Sequence, residues 1–181
     1  NVVRIFDALN DVRNMETAMK SVKKYGGICE AAVSYTTGPV FDDDYFVELA
    51  MALADRGADV ICIKDMANLL LPDAAFSLIS KMKEKVGLPI HLHTHDTCGT
   101  GEAVYLAAAL AGVDIVDCAL SPFAGGTSQP ATETVAAMFE DTPRKTGLNG
   151  KALQKAAEHF RGVAQNLRKE GFIKTSALHV K

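Results

Sequence analysis

Residues 89–98 read "PIHLHTHDTC", and they place His91, His93 and His95 on alternate positions at the end of a β-like run. Side chains two apart on a strand point to the same face, so the three imidazoles share one side. Four other β-like runs occur: "VVRIF" (2–6), "ICEAAVSY" (28–35), "DVICIK" (59–64) and "VDIVDCAL" (113–120). At or just after their ends stand Asp7 and Asn10, Tyr35 and Thr36, Lys64 and Asp65, and Ser121. The runs recur about every 25 to 30 residues, the length of a βα unit.

The intervening stretches carry helical stripes. Phe46, Leu49, Ala50 and Leu53 form one, and Ala75, Leu78, Ile79, Met82 and Val86 another, both at i, i+3, i+4 type spacing. "RGADVICIKD" (56–65) and "AGVDIVDCAL" (111–120) echo each other, each with a glycine ending a helix before an apolar strand. The pattern predicts a parallel α/β protein. An open doubly wound sheet gathers its polar groups at a switch point, commonly with a glycine-rich loop after the first strand. Here "DALND" after the first run has no glycine. Polar groups at every strand end converge only when the strands close into a ring, which favours a (β/α)8 TIM barrel.

Such a barrel needs eight strands and typically about 250 residues, whereas five runs occur in these 181 residues. With the chain opening directly on Asn1-Val2-Val3, a partial barrel with its first βα units upstream is expected. Beyond residue 145 the pattern changes. Residues 147–171 read as one long helix with Leu153, Ala156, Ala157, Phe160, Val163 and Leu167 on a face. The expected division is a barrel portion, 1–145, followed by the start of a helical extension, 146–181.

Composition narrows the function. A net charge of −3 lacks the clustered basic patch of a nucleic-acid-binding protein. No apolar run approaches the ~18 residues of a membrane helix, so no direct membrane insertion is expected. Cys29, Cys62, Cys98 and Cys118 have no CxxC spacing and lie in or beside apolar segments. They read as reduced thiols of a cytoplasmic protein.

An HxH pair at a barrel's C-terminal rim can set two imidazole nitrogens on one metal; the alternative is a set of core histidines donating to carbonyls. Spacing alone does not select two of the three, though the rim position favours His93 and His95 over the deeper His91. Asp65, Asp96, Asp114 and Asp117 all stand as candidate carboxylates. Lys64 ends an apolar strand, where a charged amine is costly to bury unpaired. It either pairs or snorkels, or works with a lowered pKa as base or nucleophile, or takes up CO2 as a carbamate that ligates a divalent metal. After the last run comes "SPFAGGTSQP" (121–130). Its glycines allow tight turns, and Thr127 and Ser128 carry hydroxyls that either cap the helix starting near Thr132 or hand on protons.

Four ordered motifs, "RIFDALND" (4–11), "IKDMANLL" (63–70), "HLHTHDTCGTG" (91–101) and "GGTSQP" (125–130), resemble the carboxyltransferase domain of biotin-dependent enzymes. That group includes pyruvate carboxylase, whether as one chain or as a subunit of it, the oxaloacetate decarboxylase alpha subunit and the transcarboxylase subunit. The resemblance spans nearly the whole chain. It implies a TIM barrel followed by a helical funnel, with "RIFDALND" as the fourth strand and the chain covering strands 4–8. It implies a divalent metal, Zn, Mn or Co, held by carbamylated Lys64, His93 and His95. A further aspartate ligand would lie upstream, so this segment alone is expected to be inactive. Thr127 matches the threonine that passes a proton between pyruvate and biotin. The implied partners are pyruvate or oxaloacetate and a biotin carboxyl carrier domain or subunit. Direction, carboxylation or decarboxylation, is not implied.

An alternative is a metal-dependent lyase or Claisen-type synthase of the hydroxymethylglutaryl-CoA lyase or isopropylmalate synthase type, which shares HxHDTxG but not the strand-end lysine ligand. A catalytically silent barrel segment is a third reading. Open sheet edges would favour a homo-oligomer.

Overall fold

The structure, a computed structural model, describes residues 1–173. Five strands, β1 (Val2–Phe6), β2 (Ile28–Ser34), β3 (Val60–Asp65), β4 (Ile90–Thr94) and β5 (Ile115–Val116), form one sheet in the order β1-β2-β3-β4-β5. Every pairing is parallel. Helices α1 (Val12–Lys24), α2 (Asp43–Asp55), α3 (Pro72–Lys85) and α4 (Gly101–Ala111) make the crossovers. A right-handed crossover between consecutive neighbours always returns on the same side. Because the strand order never reverses, all four helices pack on one face and the other face stays free of them. That is the geometry of a barrel wall, not of a doubly wound sheet, which needs a reversal.

The alternation of the strands separates two environments. Cys29, Ala31, Val33, Ile61, Ile63, Ile90 and Leu92 face the helices and are fully buried. They pack against Met15 and Met19 of α1, Phe46, Ala50 and Leu53 of α2, Ala75, Leu78, Ile79 and Met82 of α3, and Val104, Tyr105 and Ala108 of α4. The helical stripes expected over 46–53 and 75–86 therefore form the core, with Leu49 and Val86 partly buried at its edge. Gly57 and Gly112 turn the chain from helix to strand at φ 93° and 103°, a left-handed conformation that glycine enters without strain.

The last strand is shorter than its apolar run suggests. Instead of 113–120, only Ile115–Val116 joins the ladder. Beyond it Ala119 turns to the following loop, donating to Pro130 O at 3.0 Å and accepting from Thr132 N at 2.8 Å. That loop holds a short 3₁₀ turn, Ser121–Phe123, and leads into α5 (Thr132–Met138). Helix α6 runs Gly150–Lys169, slightly inside the expected 147–171. It rests on the 3₁₀ turn and α5 through Phe123–Phe160 ring contact and buried Ala157 and Ala164. Among the described residues no helix is long and apolar enough to cross a membrane.

Gly101, the first residue of α4, is where the loop meets the barrel. A Cβ there would stand 2.7 Å from Pro130 Cγ and 2.9 Å from Asp96 Oδ1. Alanine favours a helix by about 1 kcal/mol over glycine, but overpacking costs about 1–3 kcal/mol. Gly101→Ala is expected to lower stability in urea unfolding; a higher midpoint would show that the loop yields to the methyl group.

Candidate metal centre

The helix-free face of the sheet is lined by charge. Its deeper row holds Arg4, Glu30, Cys62 and His91, with Arg4 opposite Glu30 and Cys62 opposite His91 in register. The next row holds Ser34, Lys64 and His93, again register partners. Asp117 lies just past β5. Its amide donates to Leu92 O at 3.2 Å, and Tyr105 OH donates to its carbonyl at 2.5 Å.

Asp117 ties the two rows together. Its Oδ2 accepts from Arg4 Nη1 at 2.7 Å and from His93 Nδ1 at 2.7 Å, and its Oδ1 from His91 Nε2 at 2.9 Å. His91 Nδ1 lies 2.7 Å from Glu30 Oε2, and Arg4 Nε donates to Glu30 Oε1. Both His91 nitrogens thus face carboxylate oxygens, and Arg4 Nη2 lies 3.1 Å from the same Nδ1. Burial alone would lower the His91 pKa, but the bonds to Asp117 and Glu30 outweigh it and raise it. Burial likewise opposes the Asp117 charge, yet His91, His93 and Arg4 together hold its carboxyl far below the usual range. Arg4 and His91 each bridge the carboxylates of Glu30 and Asp117. The deep row is a closed ion-pair network.

The rim histidines are held differently. His93 gives Nδ1–H to Asp117, and His95 gives Nδ1–H to the carbonyl of Thr127 at 2.7 Å. Each ring is thus locked in the orientation that leaves Nε2 for another partner. The rings sit with centroids 5.2 Å apart. Gln129 Nε2 reaches within 3.5 Å of His93 Nε2. Burial, with His93 and Lys64 nearby, lowers the His95 pKa and keeps its ring neutral. His95 lies one residue beyond the strand and not on it, but the glycine-rich loop fixes it in place.

Lys64 faces the same side. Its Nζ lies 4.4 Å from the Phe6 ring centroid and against the sulfur of Met66. Among the described residues it has no carboxylate partner, so the expected alternative of an ion pair is not realised. Burial, with the charge of Arg4 adding to it, lowers its pKa, raising the fraction of free amine.

The structure brings Lys64, His93, His95 and Thr127 to one rim and turns most of the candidate carboxylates elsewhere. Asp65, fully buried, accepts from Ala67, Leu69 and Leu70 amides and from Thr94 Oγ1. Asp96 accepts from Gly101 N at 2.8 Å. Asp114 accepts from Ile90 N and pairs with Lys83. Of these four, Asp117 alone faces the histidines. Neither Thr127 nor Ser128 caps α5: the N-cap is Ala131, with no side-chain bond. The loop instead docks on the end of β4, with Asp96 N donating to Ser128 O at 2.8 Å, and the Thr127 side chain stays exposed.

A tighter group of metal-capable side chains, Glu30, Cys62 and His91, has its donor atoms within 4.8 Å of one another. Its members are already committed. Glu30 is paired with Arg4 and His91, and burial pushes the Cys62 thiol up to about 12, so it is not the thiolate that a metal requires. A cation there would have to displace the Arg4 guanidinium from Glu30. The rim pair is the better fit for a metal: His93 Nε2 meets only Gln129, at 3.5 Å, and His95 Nε2 has no hydrogen-bond partner among the described residues.

Residues 6–160 match the HMGL-like family. The chain belongs to that family. The HMGL-like chain is 48% identical to a pyruvate carboxylase subunit of Methanocaldococcus jannaschii over 168 residues, covering 93% of this chain and 30% of that protein. It is 42% identical to the 2-oxoglutarate carboxylase large subunit of Hydrogenobacter thermophilus, covering 93% of this chain and 26% of that one. The structure superposes on the carboxyl transferase domain of Rhizobium etli pyruvate carboxylase with a TM-score of 0.89 at 38% identity, over 92% of this chain and 29% of that chain. The chain therefore spans under a third of the length of these relatives. The fold is a partial TIM-barrel wall of carboxyltransferase type, and these relatives favour the carboxyltransferase reading over the lyase or synthase alternative.

Proposed function

We propose that this chain carries part of the active site for biotin-dependent carboxyl transfer between carboxybiotin and pyruvate or oxaloacetate. His93 and His95, together with Lys64 as its carbamate, hold a divalent metal, Zn, Mn or Co. The observation that carries this reading is the pair of rim imidazoles, each anchored through Nδ1, beside a lysine with no acid partner among the described residues. Two neutral nitrogens and one carbamate oxygen are a donor set that suits such a cation. When bound, the metal polarises the keto oxygen of the substrate as a Lewis acid.

The chain's own residues do the rest. Lys64 as free amine adds CO2 at Nζ and loses a proton, changing from a neutral amine to a carbamate anion. Its lowered pKa favours that reaction, because only the free amine is nucleophilic. Asp117 and the Thr127 carbonyl keep the two imidazoles oriented. Thr127, on the exposed loop above His95, moves a proton through its hydroxyl: the substrate methyl carbon gives up the proton and gains CO2, while the biotin nitrogen loses CO2 and gains the proton. A hydroxyl relay needs no free charge in a dry site. The carboxybiotin arrives on a separate carrier domain or subunit.

Mass spectrometry of the full-length, metal-loaded protein under non-acidic conditions tests this reading. One added CO2 mapped to Lys64 and absent from Lys64→Ala is expected. Full metal occupancy with Lys64 persistently unmodified would overturn it in favour of the lyase or synthase chemistry.

A further inference from the structure

We propose that Asp117 is a positioning residue, which fixes His93 with Nδ1 protonated and Nε2 turned to the open face of the sheet. The inference goes beyond the ligand set and rests on the reading of His93 as a ligand only for its effect on metal affinity. Its geometry stands independently. Asp117 Oδ2 lies 2.7 Å from His93 Nδ1, and an acceptor-only oxygen at that distance requires Nδ1 to be the donor. The nearby Arg4 Nη1, 3.3 Å from the same nitrogen, is then a second donor and forms no bond to it.

The carboxylate is itself immobilised from every side. Arg4 holds the oxygen shared with His93, and His91 holds the other. The backbone of Asp117 is fixed by its amide bond to Leu92 O and by the Tyr105 hydroxyl, whose ring is fully buried between α4 and the sheet. Asp117 therefore cannot follow a rotating imidazole; the imidazole must follow it. Arg4 and His91 support this anchor by occupying both Asp117 oxygens, and Glu30 in turn holds Arg4 and His91. Acidic partners of this kind set ligand orientation in metal sites, and their loss typically weakens metal binding about 10- to 100-fold.

The test uses the full-length protein labelled with isotopic histidine, measured metal-free by solid-state NMR, with Mn2+ as the probe for affinity. Wild type is expected to show His93 as the Nδ1–H tautomer. Asp117→Ala should move His93 toward the Nε2–H form and weaken Mn2+ binding about 10- to 100-fold. Asp117→Asn, whose amide oxygen can still accept from Nδ1, should keep the tautomer and most of the affinity. An unchanged tautomer and Kd in Asp117→Ala would leave Asp117 a merely structural residue and overturn the proposal. An Nε2–H tautomer in wild type would overturn it even if the alanine variant does not fold. Wild type that shows the Nδ1–H form and its loss in Asp117→Ala but binds no Mn2+ supports the positioning role, and the metal reading fails instead.

Discussion

Arg4→Met is expected to destabilise the protein by about 3 kcal/mol, at the low end of the 3–5 kcal/mol typical for removing one partner of a buried ion pair. Glu30 is 3% exposed and is the reason. With Arg4 gone, His91 alone must balance two carboxylates, and one anion is stranded where water cannot reach it. The guanidinium keeps 26% of its side chain exposed, which places the effect at the lower end. Chemical unfolding gives the number. The double variant Arg4→Met/Glu30→Gln should recover much of the loss, because it removes the stranded charge along with its partner. A single variant within experimental error of wild type would show that the network is solvated and carries no such cost. The Arg13–Asp11 pair at the surface is the contrast: Arg13→Ala, which keeps Asp11 as the N-cap of α1, should change stability very little, since surface pairs are screened and mobile.

His95→Ala should abolish stoichiometric metal binding and lower carboxyl transfer by about 1,000-fold or more. A metal acting as Lewis acid supplies several kcal/mol to the reaction, and each 1.36 kcal/mol is about tenfold in rate. His93→Ala should behave alike. His91→Gln should retain the metal: both nitrogens of His91 face carboxylates, so its replacement lowers stability and, by loosening Asp117, weakens metal binding far less than loss of a ligand does. Elemental analysis and a carboxyl-transfer assay on the full-length protein separate the three. Metal that survives in His95→Ala but disappears in His91→Gln would move the centre to the deeper row of Glu30, Cys62 and His91.

Much of this is legible in the sequence, because alternation and spacing are local. The five β-like runs, the stripes of α2 and α3 and the HxHxH element follow from periods of 2 and 3.6, which need no knowledge of neighbours. The terminal strand reads too long because apolar letters persist to Leu120, whereas the ladder stops once the chain turns to pair with residues 130–132. Arg4, Glu30 and Asp117 do not read as a group. Each is a charge set among apolar strand letters, "VVRIF", "ICEAAVS" and "DIVDCAL", and such a charge signals a partner. The partners lie on other strands, though, and register across strands leaves no local mark. The acceptor for His95 is harder still to read, for a main-chain carbonyl has no letter at all.

That last bond separates two jobs at one position. His95 is held by the backbone of residue 127, and the side chain of residue 127 is free of the task. Any replacement of Thr127 that keeps the loop path leaves His95 aligned, so the reacting group can be exchanged like a tool tip on a fixed handle. Chemistry at this position is open to change without retuning the ligand beneath it.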